Sequence, residues 1–280
     1  MSEHKSDFAG MKNVIVSREN PSHDLLFLVA MLQPRRFETN ARPRICESMI
    51  RIAEIFRSLQ GEGQLTGVPS VFIRTSGCNL RCWFCDTPYA SWTPEGDPWE
   101  IERIVVETER FNCQHVVITG GEPMISPELP SLVSQLRSLG IHVTIETAGT
   151  VIHDPPLYCD LMSISPKLSN STPDIVTAGA WQAQHQKTRH RPSIVQQLMQ
   201  ECKVYQLKFV VGSILDAEEV LEYLRELKVY DRDCVLMMPR GVTSQELRLQ
   251  ANWLAPWCIE RGLRYCDRAH IHWFGNRRGT

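Results

Sequence analysis

The chain has 280 residues, 42% hydrophobic and 22% charged, which is enough apolar material to bury the core of one ordinary globular domain. Its formal net charge of −2 provides no general attraction to nucleic acid or to a membrane surface, so a small-molecule partner is favoured. Ten cysteines without regular pairing argue against a secreted disulfide framework and predict a protein of the reducing cytoplasm.

Residues 1–48 differ from the rest of the chain, because mixed charges and several prolines occur there without a sustained hydrophobic period. The apolar run 25–32 is too short to span a bilayer, and no signal-peptide cleavage site follows it. We therefore expect a poorly ordered extension over 1–48, with one short helix around 24–32, and a separate domain over 49–280. Met49, which opens the first convincing strand, is a candidate functional start.

Strand and helix patterns alternate from residue 49 onward. Apolar runs predict strands at 50–56, 71–75, 115–119, 142–146, 161–164, 206–211 and 234–238. Helical patterns occur at 98–111, 130–139, 193–202, 216–227 and 244–261. The last two helices are expected to begin at capping pairs, Asp216 with Glu219 and Thr243 with Glu246.

Repeated βα units imply parallel strands joined by right-handed crossovers. Because about six such strands are too few to close a TIM barrel, we expect an α/β fold built as a partial, open βα barrel. Its functional loops should follow the carboxyl ends of the strands. The polar segment 170–191 is either a lid or a plain loop, and the alternation of His270 and His272 indicates one face of a strand, without a functional role.

Three cysteines, Cys78, Cys82 and Cys85, follow the strand 71–75 in a C-x3-C-x2-C run. A cubane iron–sulfur cluster normally takes four thiolates, so three leave one iron free to bind a substrate or cofactor. Phe84 adds an aromatic face that could stack on an adenine ring. The run resembles the cluster motif of radical S-adenosylmethionine (SAM) enzymes.

Two other uses of these cysteines are open. A structural zinc site needs a second matched pair of ligands, and no other C-x2-C or H-x3-H run follows at the required spacing. A redox dithiol needs only Cys82 and Cys85 and leaves Cys78 without a use. The spacing, the flanking aromatic residue and the motifs that follow all favour the cluster.

Further polar motifs come directly after predicted strands. Gly120-Gly121-Glu122-Pro123 follows 115–119, and its glycines allow a ligand to approach the backbone while Glu122 can accept hydrogen bonds from an ammonium group. The run 146–150 (ETAGT) and the run 165–167 (SPK) end the next two strands. Parallel strands bring these ends to one rim, which predicts a shared site.

The chain resembles the 7-carboxy-7-deazaguanine synthase family over residues 49–280. The resemblance is carried by 54–63 (EIFRSLQGEG), 67–69 (GVP), 72–74 (FIR), the cysteine loop to 87 (CDT), 120–123 (GGEP), 146–150 (ETAGT), 165–167 (SPK) and 273–279 (WFGNRRG). The sequence departs from the family pattern at Ala148, where a polar residue is usual, and in residues 1–48, which have no counterpart.

The resemblance implies a ring contraction of 6-carboxy-5,6,7,8-tetrahydropterin to 7-carboxy-7-deazaguanine with release of ammonia, in queuosine or other 7-deazapurine biosynthesis. The implied cofactors are a [4Fe–4S] cluster, regenerated SAM and Mg²⁺. The implied partners are the pterin substrate, a flavodoxin-like or other one-electron donor and a second copy of the chain. The resemblance assigns the cluster to Cys78, Cys82 and Cys85; SAM to Phe84, Cys85, Asp86, Gly121, Ser165, Pro166 and Lys167; the pterin to Leu59, Gln60, Gly61, Arg74 and Thr119; and Mg²⁺ to Thr87.

These assignments suit the residue types. The guanidinium of Arg74 matches a pterin carboxylate, a Gln or Glu within 60–62 can read a guanine-like edge, and the Thr87 hydroxyl suits a hard cation. Three alternatives remain open from the sequence: an activating enzyme for glycyl-radical enzymes, a non-catalytic metal-binding module and a tRNA-binding protein. The last is disfavoured by the net charge of −2 and by the single short basic segment, 187–191.

Overall fold

A computed structural model describes residues 48–280, so the predicted extension and its helix at 24–32 lie outside the described residues. The strands are β1 (Met49–Leu59), β2 (Pro69–Thr75), β3 (Asp97–Glu100), β4 (His115–Gly120), β5 (His142–Thr147), β6 (Leu161–Ile164), β7 (Tyr205–Val211), β8 (Val235–Pro239) and β9 (Arg264–Tyr265). The helices are α1 (Pro88–Ser91), α2 (Ile101–Glu109), α3 (Leu129–Ser138), α4 (Ile175–Ala178), α5 (Trp181–Arg189), α6 (Pro192–Glu201), α7 (Ile214–Glu226), α8 (Ser244–Arg261) and α9 (Ala269–Phe274).

The strands form one open sheet in the order β3-β1-β2-β4-β5-β6-β7-β8-β9. Every neighbouring pair from β2 to β9 is parallel, whereas β1 runs antiparallel to both β2 and β3. The six predicted strands from 71–75 to 234–238 are the six longer parallel strands, and β9 adds only two residues. The predicted open α/β architecture is therefore confirmed.

The core lies between the parallel strands and the helices that connect them. Within β4, Val116, Val117 and Ile118 are all buried, as expected for a parallel strand that is covered on both faces. Helix α3 buries Leu132 and Leu136, which lie one turn apart on the face that meets the sheet. This packing fixes the strand ends and therefore the loops that follow them.

The predicted cap of helix α8 is correct, whereas the predicted cap of helix α7 is wrong. Thr243 caps α8 in a complete capping box with Glu246, as predicted. Helix α7, however, begins at Ile214, and its cap is Ser213, whose hydroxyl accepts the Asp216 N–H. The pair Asp216–Glu219 mimicked a cap because an acidic residue is also common in the first turn of a helix.

Three other predictions are corrected. Residues 97–100 are strand β3 and not the start of a helix, and Pro98 is tolerated there because β3 is an edge strand. His270 and His272 lie in helix α9 and not in a strand. The segment 170–191 contains α4 and α5 and is therefore not a plain loop. Within residues 48–280, no helix has the length and apolar character needed to cross a membrane.

Candidate active site

A cavity of about 960 Å³ is lined by the cysteine loop and by residues of the open sheet. It is lined by side chains of β1, β2, β4, β5, β7 and β8, by loops that follow strands of the sheet and by parts of the carboxyl-terminal region. All predicted site residues except one line this cavity: Leu59, Gln60, Gly61, Arg74, Cys78, Cys82, Phe84, Cys85, Asp86, Thr87, Thr119, Gly121, Ser165 and Lys167. Pro166 does not line it and lies between Ser165 and Lys167 in the chain.

The cysteine loop, defined here as residues 77–87, is held against the loop that follows β4. The backbone N–H of Glu122 donates to the Gly77 carbonyl at 2.9 Å. A Cβ atom on Gly121 would lie 2.2 Å from the same carbonyl oxygen, so only glycine permits this approach. Gly121 therefore serves the packing of the two loops as well as the wall of the cavity.

The thiols of the cysteine loop fit an iron–sulfur cluster. Burial raises the pKa of Cys78 to about 12 and that of Cys82 to about 11, so that bound metal is needed to hold either sulfur as a thiolate at neutral pH. Within residues 48–280, no three His, Cys, Asp or Glu side chains are grouped closely enough to chelate a single ion. A cubane instead needs separated thiolates, because each one binds a different iron.

The predicted SAM and Mg²⁺ residues lie around this loop. Lys167 donates from Nζ to the Ser165 carbonyl at 2.7 Å and to its hydroxyl at 2.8 Å, which closes the turn after β6. The Thr87 hydroxyl lies 3.7 Å from Cys85 Sγ, beside the start of α1. Asp86 forms an ion pair with Arg268, a residue to which the sequence assigned no role.

A charged network, defined as Asp86, Arg268, Glu62, Lys208 and Glu146, extends from the cysteine loop into the cavity. Arg268 Nε lies 3.0 Å from Glu62 Oε1, and Lys208 Nζ lies 2.9 Å from Glu62 Oε2. Lys208 Nζ also lies 3.1 Å from Glu146 Oε1, so it joins two carboxylates. Arg268 additionally donates to the Gly241 carbonyl at 2.6 Å.

Lys208 and Glu62 at the centre of the network keep each other ionised. Burial opposes the charge on Lys208, but Glu146 and Glu62 together outweigh it and raise the pKa of the lysine. Burial also opposes the charge on Glu62, and there Lys208 and Arg268 prevail and hold the pKa of the carboxyl well below its usual range. Lys208 and Glu62 therefore carry fixed charges at neutral pH.

Two predicted pterin residues orient the inner end of the network. The Thr119 hydroxyl donates to Glu146 Oε2 at 3.0 Å, and Gln60 Nε2 donates to Glu146 Oε1 at 3.4 Å. Gln60 Oε1 in turn accepts the Glu62 N–H at 3.0 Å. The Glu146 carboxylate faces the cavity in a fixed orientation.

A second set of charges surrounds Arg74 at the outer side of the cavity. Arg74 Nε lies 2.7 Å from Glu54 Oε1, and Tyr89 donates its hydroxyl to the same oxygen at 2.7 Å. Arg278 Nε lies 3.2 Å from Glu54 Oε2, which ties the carboxyl-terminal segment to β1. Since Arg74 uses Nε for Glu54, its Nη groups remain available to a ligand.

Glu122, predicted from the sequence as an acceptor for an ammonium group, already accepts three hydrogen bonds from the protein. Its buried carboxylate accepts the Met124 N–H at 3.1 Å, the Thr147 hydroxyl at 2.8 Å and the Ala148 N–H at 2.7 Å. It therefore fastens the end of β4 to the end of β5. Ala148 contributes to this contact through its backbone N–H.

Comparisons with known proteins agree with this arrangement. Residues 72–166 match the Radical SAM superfamily. A 7-carboxy-7-deazaguanine synthase of Rhodopirellula baltica is 51% identical over 243 residues, which cover 87% of this chain and 93% of the relative. The chain belongs to the 7-carboxy-7-deazaguanine synthase family.

Two more relatives support the family assignment. A 7-carboxy-7-deazaguanine synthase of Halobacterium salinarum is 42% identical over 79% of this chain and 88% of its own length. The crystal structure of QueE from Escherichia coli is similar at a TM-score of 0.56 with 26% identity, over 79% of this chain and 95% of that chain. The cofactors of this family member are a [4Fe–4S] cluster, SAM and Mg²⁺.

Sequence reasoning missed the roles of Arg268, Lys208 and His270. Lys208 left a signal, because a lysine inside the apolar run of β7 is unusual unless it is paired. His270 lines the cavity and packs so closely on Gly61 that a Cβ there would lie 2.3 Å from the ring Nδ1. Neither residue carried such a signal, because Arg268 directly precedes the short helix α9, His270 lies within it, and no motif marks this segment.

Proposed function

We propose that the chain converts 6-carboxy-5,6,7,8-tetrahydropterin to 7-carboxy-7-deazaguanine and ammonia by radical SAM chemistry. The observation that carries the proposal is one continuous cavity lined by the cysteine loop, the charged network and Arg74. Relatives named 7-carboxy-7-deazaguanine synthase match most of the chain at 51% and 42% identity. The product enters queuosine or another 7-deazapurine pathway.

The cysteine loop and the neighbouring strand ends form the proposed SAM half of the cavity. Cys78, Cys82 and Cys85 hold the cluster, which when bound supplies the electron that cleaves SAM to a 5′-deoxyadenosyl radical. The remaining SAM contacts are assigned to Phe84, Asp86, Gly121, Ser165, Pro166 and Lys167. Lys167 and the Ser165 hydroxyl provide donors for a ligand carboxylate, and Phe84 provides a ring for stacking.

Arg74 is the proposed partner of the pterin carboxylate. Its Nη groups can form a bidentate pair with a carboxylate while Nε stays bound to Glu54. Glu54 also accepts from Tyr89, so the guanidinium plane is fixed before substrate arrives. Leu59 and Gly61 complete the wall on this side of the cavity.

Glu146 is the proposed reader of the guanine-like edge of the pterin. Lys208, Gln60 and Thr119 all donate to its carboxylate, which leaves acceptor capacity for an N–H group of the substrate. Gln60 and Thr119 thus contribute to substrate binding partly by orienting the Glu146 carboxylate. A misplaced carboxylate would lose a fixed, charge-assisted contact to the substrate.

Mg²⁺ is assigned to the Thr87 hydroxyl together with substrate oxygens and water. Thr87 lines the cavity at the end of the cysteine loop, directly before α1. Hard cations prefer oxygen ligands, and Mg²⁺ usually keeps several waters and takes few protein ligands. One hydroxyl from the protein is consistent with that preference.

The proposed physiological partners are a flavodoxin-like or other one-electron donor and a second copy of the chain. The exposed Trp83 in the cysteine loop places that loop within reach of a docked donor. A homodimer is expected from the family resemblance and is checked by light scattering. Nine cysteines within residues 48–280 are free thiols, which supports a location in the reducing cytoplasm.

The proposal is tested by anaerobic incubation of the reconstituted, reduced protein with SAM, Mg²⁺ and 6-carboxy-5,6,7,8-tetrahydropterin. Mass spectrometry should detect 7-carboxy-7-deazaguanine in the native protein and none in Cys82→Ala. An Arg74→Met variant should retain cleavage of SAM but need far more substrate, because a bidentate charge pair is lost. Formation of 5′-deoxyadenosine without the deazaguanine would keep the radical chemistry and refute the substrate.

A further inference from the structure

The cysteine loop packs against a segment that the proposed reaction does not use. This segment, residues 168–189, follows the turn after β6 and includes α4 and α5. Two of its carbonyls accept hydrogen bonds from Trp83, which lies between the second and third cysteines. The Ser171 carbonyl accepts the Trp83 backbone N–H at 3.2 Å, and the Asn170 carbonyl accepts its indole N–H at 2.7 Å.

Arg81 is the main anchor between the cysteine loop and this segment. Its side chain is buried, and Nη1 donates to the Cys78 carbonyl at 2.8 Å and to the Leu80 carbonyl at 2.7 Å. The guanidinium lies over the indole of Trp181, with Cζ 3.8 Å from the ring centroid. Such stacking fixes the plane of a cation that already bonds two carbonyls of the loop.

His185 holds the backbone of the same arginine. Its Nδ1 accepts the Arg81 N–H at 3.0 Å, which leaves Nε2 as the donor to the Ser171 hydroxyl at 2.9 Å. The Ser171 hydroxyl then donates to the Leu168 carbonyl at 2.6 Å. Burial lowers the pKa of His185 to about 4, so the ring is neutral at physiological pH and this tautomer is maintained.

These contacts concentrate on one stretch of backbone, from Cys78 to Trp83, that carries two of the three cluster ligands. If the cysteine loop could move freely, its thiolates would lose the spacing that the iron–sulfur cluster needs. Residues outside the ligand shell that hold metal ligands in place are known to support metal affinity strongly. The guanidinium of Arg81 also places a permanent positive charge beside the three proposed thiolate ligands. Positive charge near an iron–sulfur cluster favours its reduced state.

We propose that residues 168–189 form a clamp that holds the cysteine loop in its ligating shape, and that Arg81, fixed by this clamp, raises the reduction potential of the cluster. Arg81, Trp181 and His185 are positioning residues in this proposal, since none of them touches the substrate. The inference depends on the cluster of the family and not on the substrate proposed above.

The test uses the full chain, reconstituted without oxygen, and two readouts that do not require turnover. One is the rate at which a chelator removes iron, followed by the visible absorbance of the cluster. The other is the midpoint potential of the cluster, obtained by spectroelectrochemistry. The variants are Arg81→Met, Arg81→Lys and Trp181→Ala, and the matched control is Lys187→Met, which removes an exposed cation from the same helix as Trp181.

We expect iron to leave Arg81→Met and Trp181→Ala about tenfold faster than the native protein, the lower range for loss of an outer-shell contact. Arg81→Met should also show a more negative midpoint potential. Arg81→Lys keeps the charge but not the fork, so its potential should stay close to the native one while iron still leaves faster. Lys187→Met should match the native protein in both readouts.

The clamp is refuted if Trp181→Ala and Arg81→Lys release iron at the native rate. The electrostatic part is refuted if Arg81→Met has the midpoint potential of Lys187→Met. If Arg81→Met takes up no cluster, the iron-release rates of Trp181→Ala and Arg81→Lys test the clamp, because both variants keep a positive charge at position 81. Circular dichroism on each metal-free variant separates loss of the clamp from loss of the fold.

Discussion

The cysteine loop and the charged network lie at the same cavity but are built in opposite ways. The proposed cluster ligands fall within residues 78–85, whereas Glu62 and Arg268 of the network are 206 positions apart. The ligands of the loop are close in sequence, and bound metal would complete their site. The ion pairs of the network are distant in sequence, so they form only when the whole sheet has folded. A change in the loop should abolish chemistry while sparing the fold, and a change in the network should weaken the fold as well as the chemistry.

The largest effect is expected in the cysteine loop. Cys82→Ala should abolish product formation, because two thiolates cannot hold a cluster that takes three from this protein. The unfolding free energy of the metal-free chain should stay within about 1 kcal/mol of the native value, since one partly exposed sulfur is lost. Iron analysis and urea denaturation measure the two quantities.

Cys113→Ala is the matched control for Cys82→Ala, because this free cysteine lies outside the cysteine loop. It should retain iron and activity. Native iron content in Cys82→Ala would contradict the assignment of the cluster ligands.

Lys208→Met should give the largest loss of stability. Removing the cation leaves Glu62 and Glu146 without their shared partner, and breaking a buried pair in this way costs about 3–5 kcal/mol. Urea denaturation of the metal-free chain measures the loss against Lys228→Met, an exposed lysine whose removal should change stability by less than about 0.5 kcal/mol. Equal midpoints for the two variants would show that the network does not stabilise the fold.

The network should also govern stability in acid. The folded pKa of Glu62 lies well below its usual range, so its stabilisation is fully present above the unfolded pKa of about 4.3. As the pH falls below that value the unfolded chain takes up the proton first, and the unfolding free energy decreases. Glu62→Gln should make the acid side of the stability curve less steep, as measured by urea denaturation between pH 3 and pH 6; an unchanged slope would contradict the assigned ion pairs.

The smallest effect compares two helix caps. Thr243→Ala and Ser213→Ala should each cost about 1 kcal/mol, because each removes a side-chain acceptor at a helix start. Helix α8 contributes Glu246 and Gln250 to the cavity, so only Thr243→Ala should also raise KM. A rise in KM for Ser213→Ala would show that the cavity responds to general destabilisation.

The sequence predicts the parts of this protein that depend on local patterns. The apolar runs of the six longer parallel strands identify the open sheet, and the capping box at Thr243 identifies the start of α8. Most residues that the resemblance names line one cavity, because they follow strands whose ends meet at one rim. Their individual roles stay predictions.

Other parts depend on contacts that no local pattern encodes. Arg268 and His270 join the site only because α9 packs beside the segment after β1, where the Ala269 N–H donates to the Gly61 carbonyl at 2.9 Å. The contacts of 168–189 could not be predicted for the same reason, since Arg81 and His185 meet across 104 positions. A polar sequence gave no indication that it supports a buried ring and a buried guanidinium.

The order of charges in the network has one more consequence. Asp86, Arg268, Glu62, Lys208 and Glu146 alternate in sign and end in a carboxylate on both sides, so acceptors outnumber cations by one. A cavity with a spare acceptor in a partly dehydrated interior favours ligands that present N–H groups over ligands of the same shape that present lone pairs. The cavity thus distinguishes ligands of the same shape by whether they present hydrogen-bond donors or acceptors.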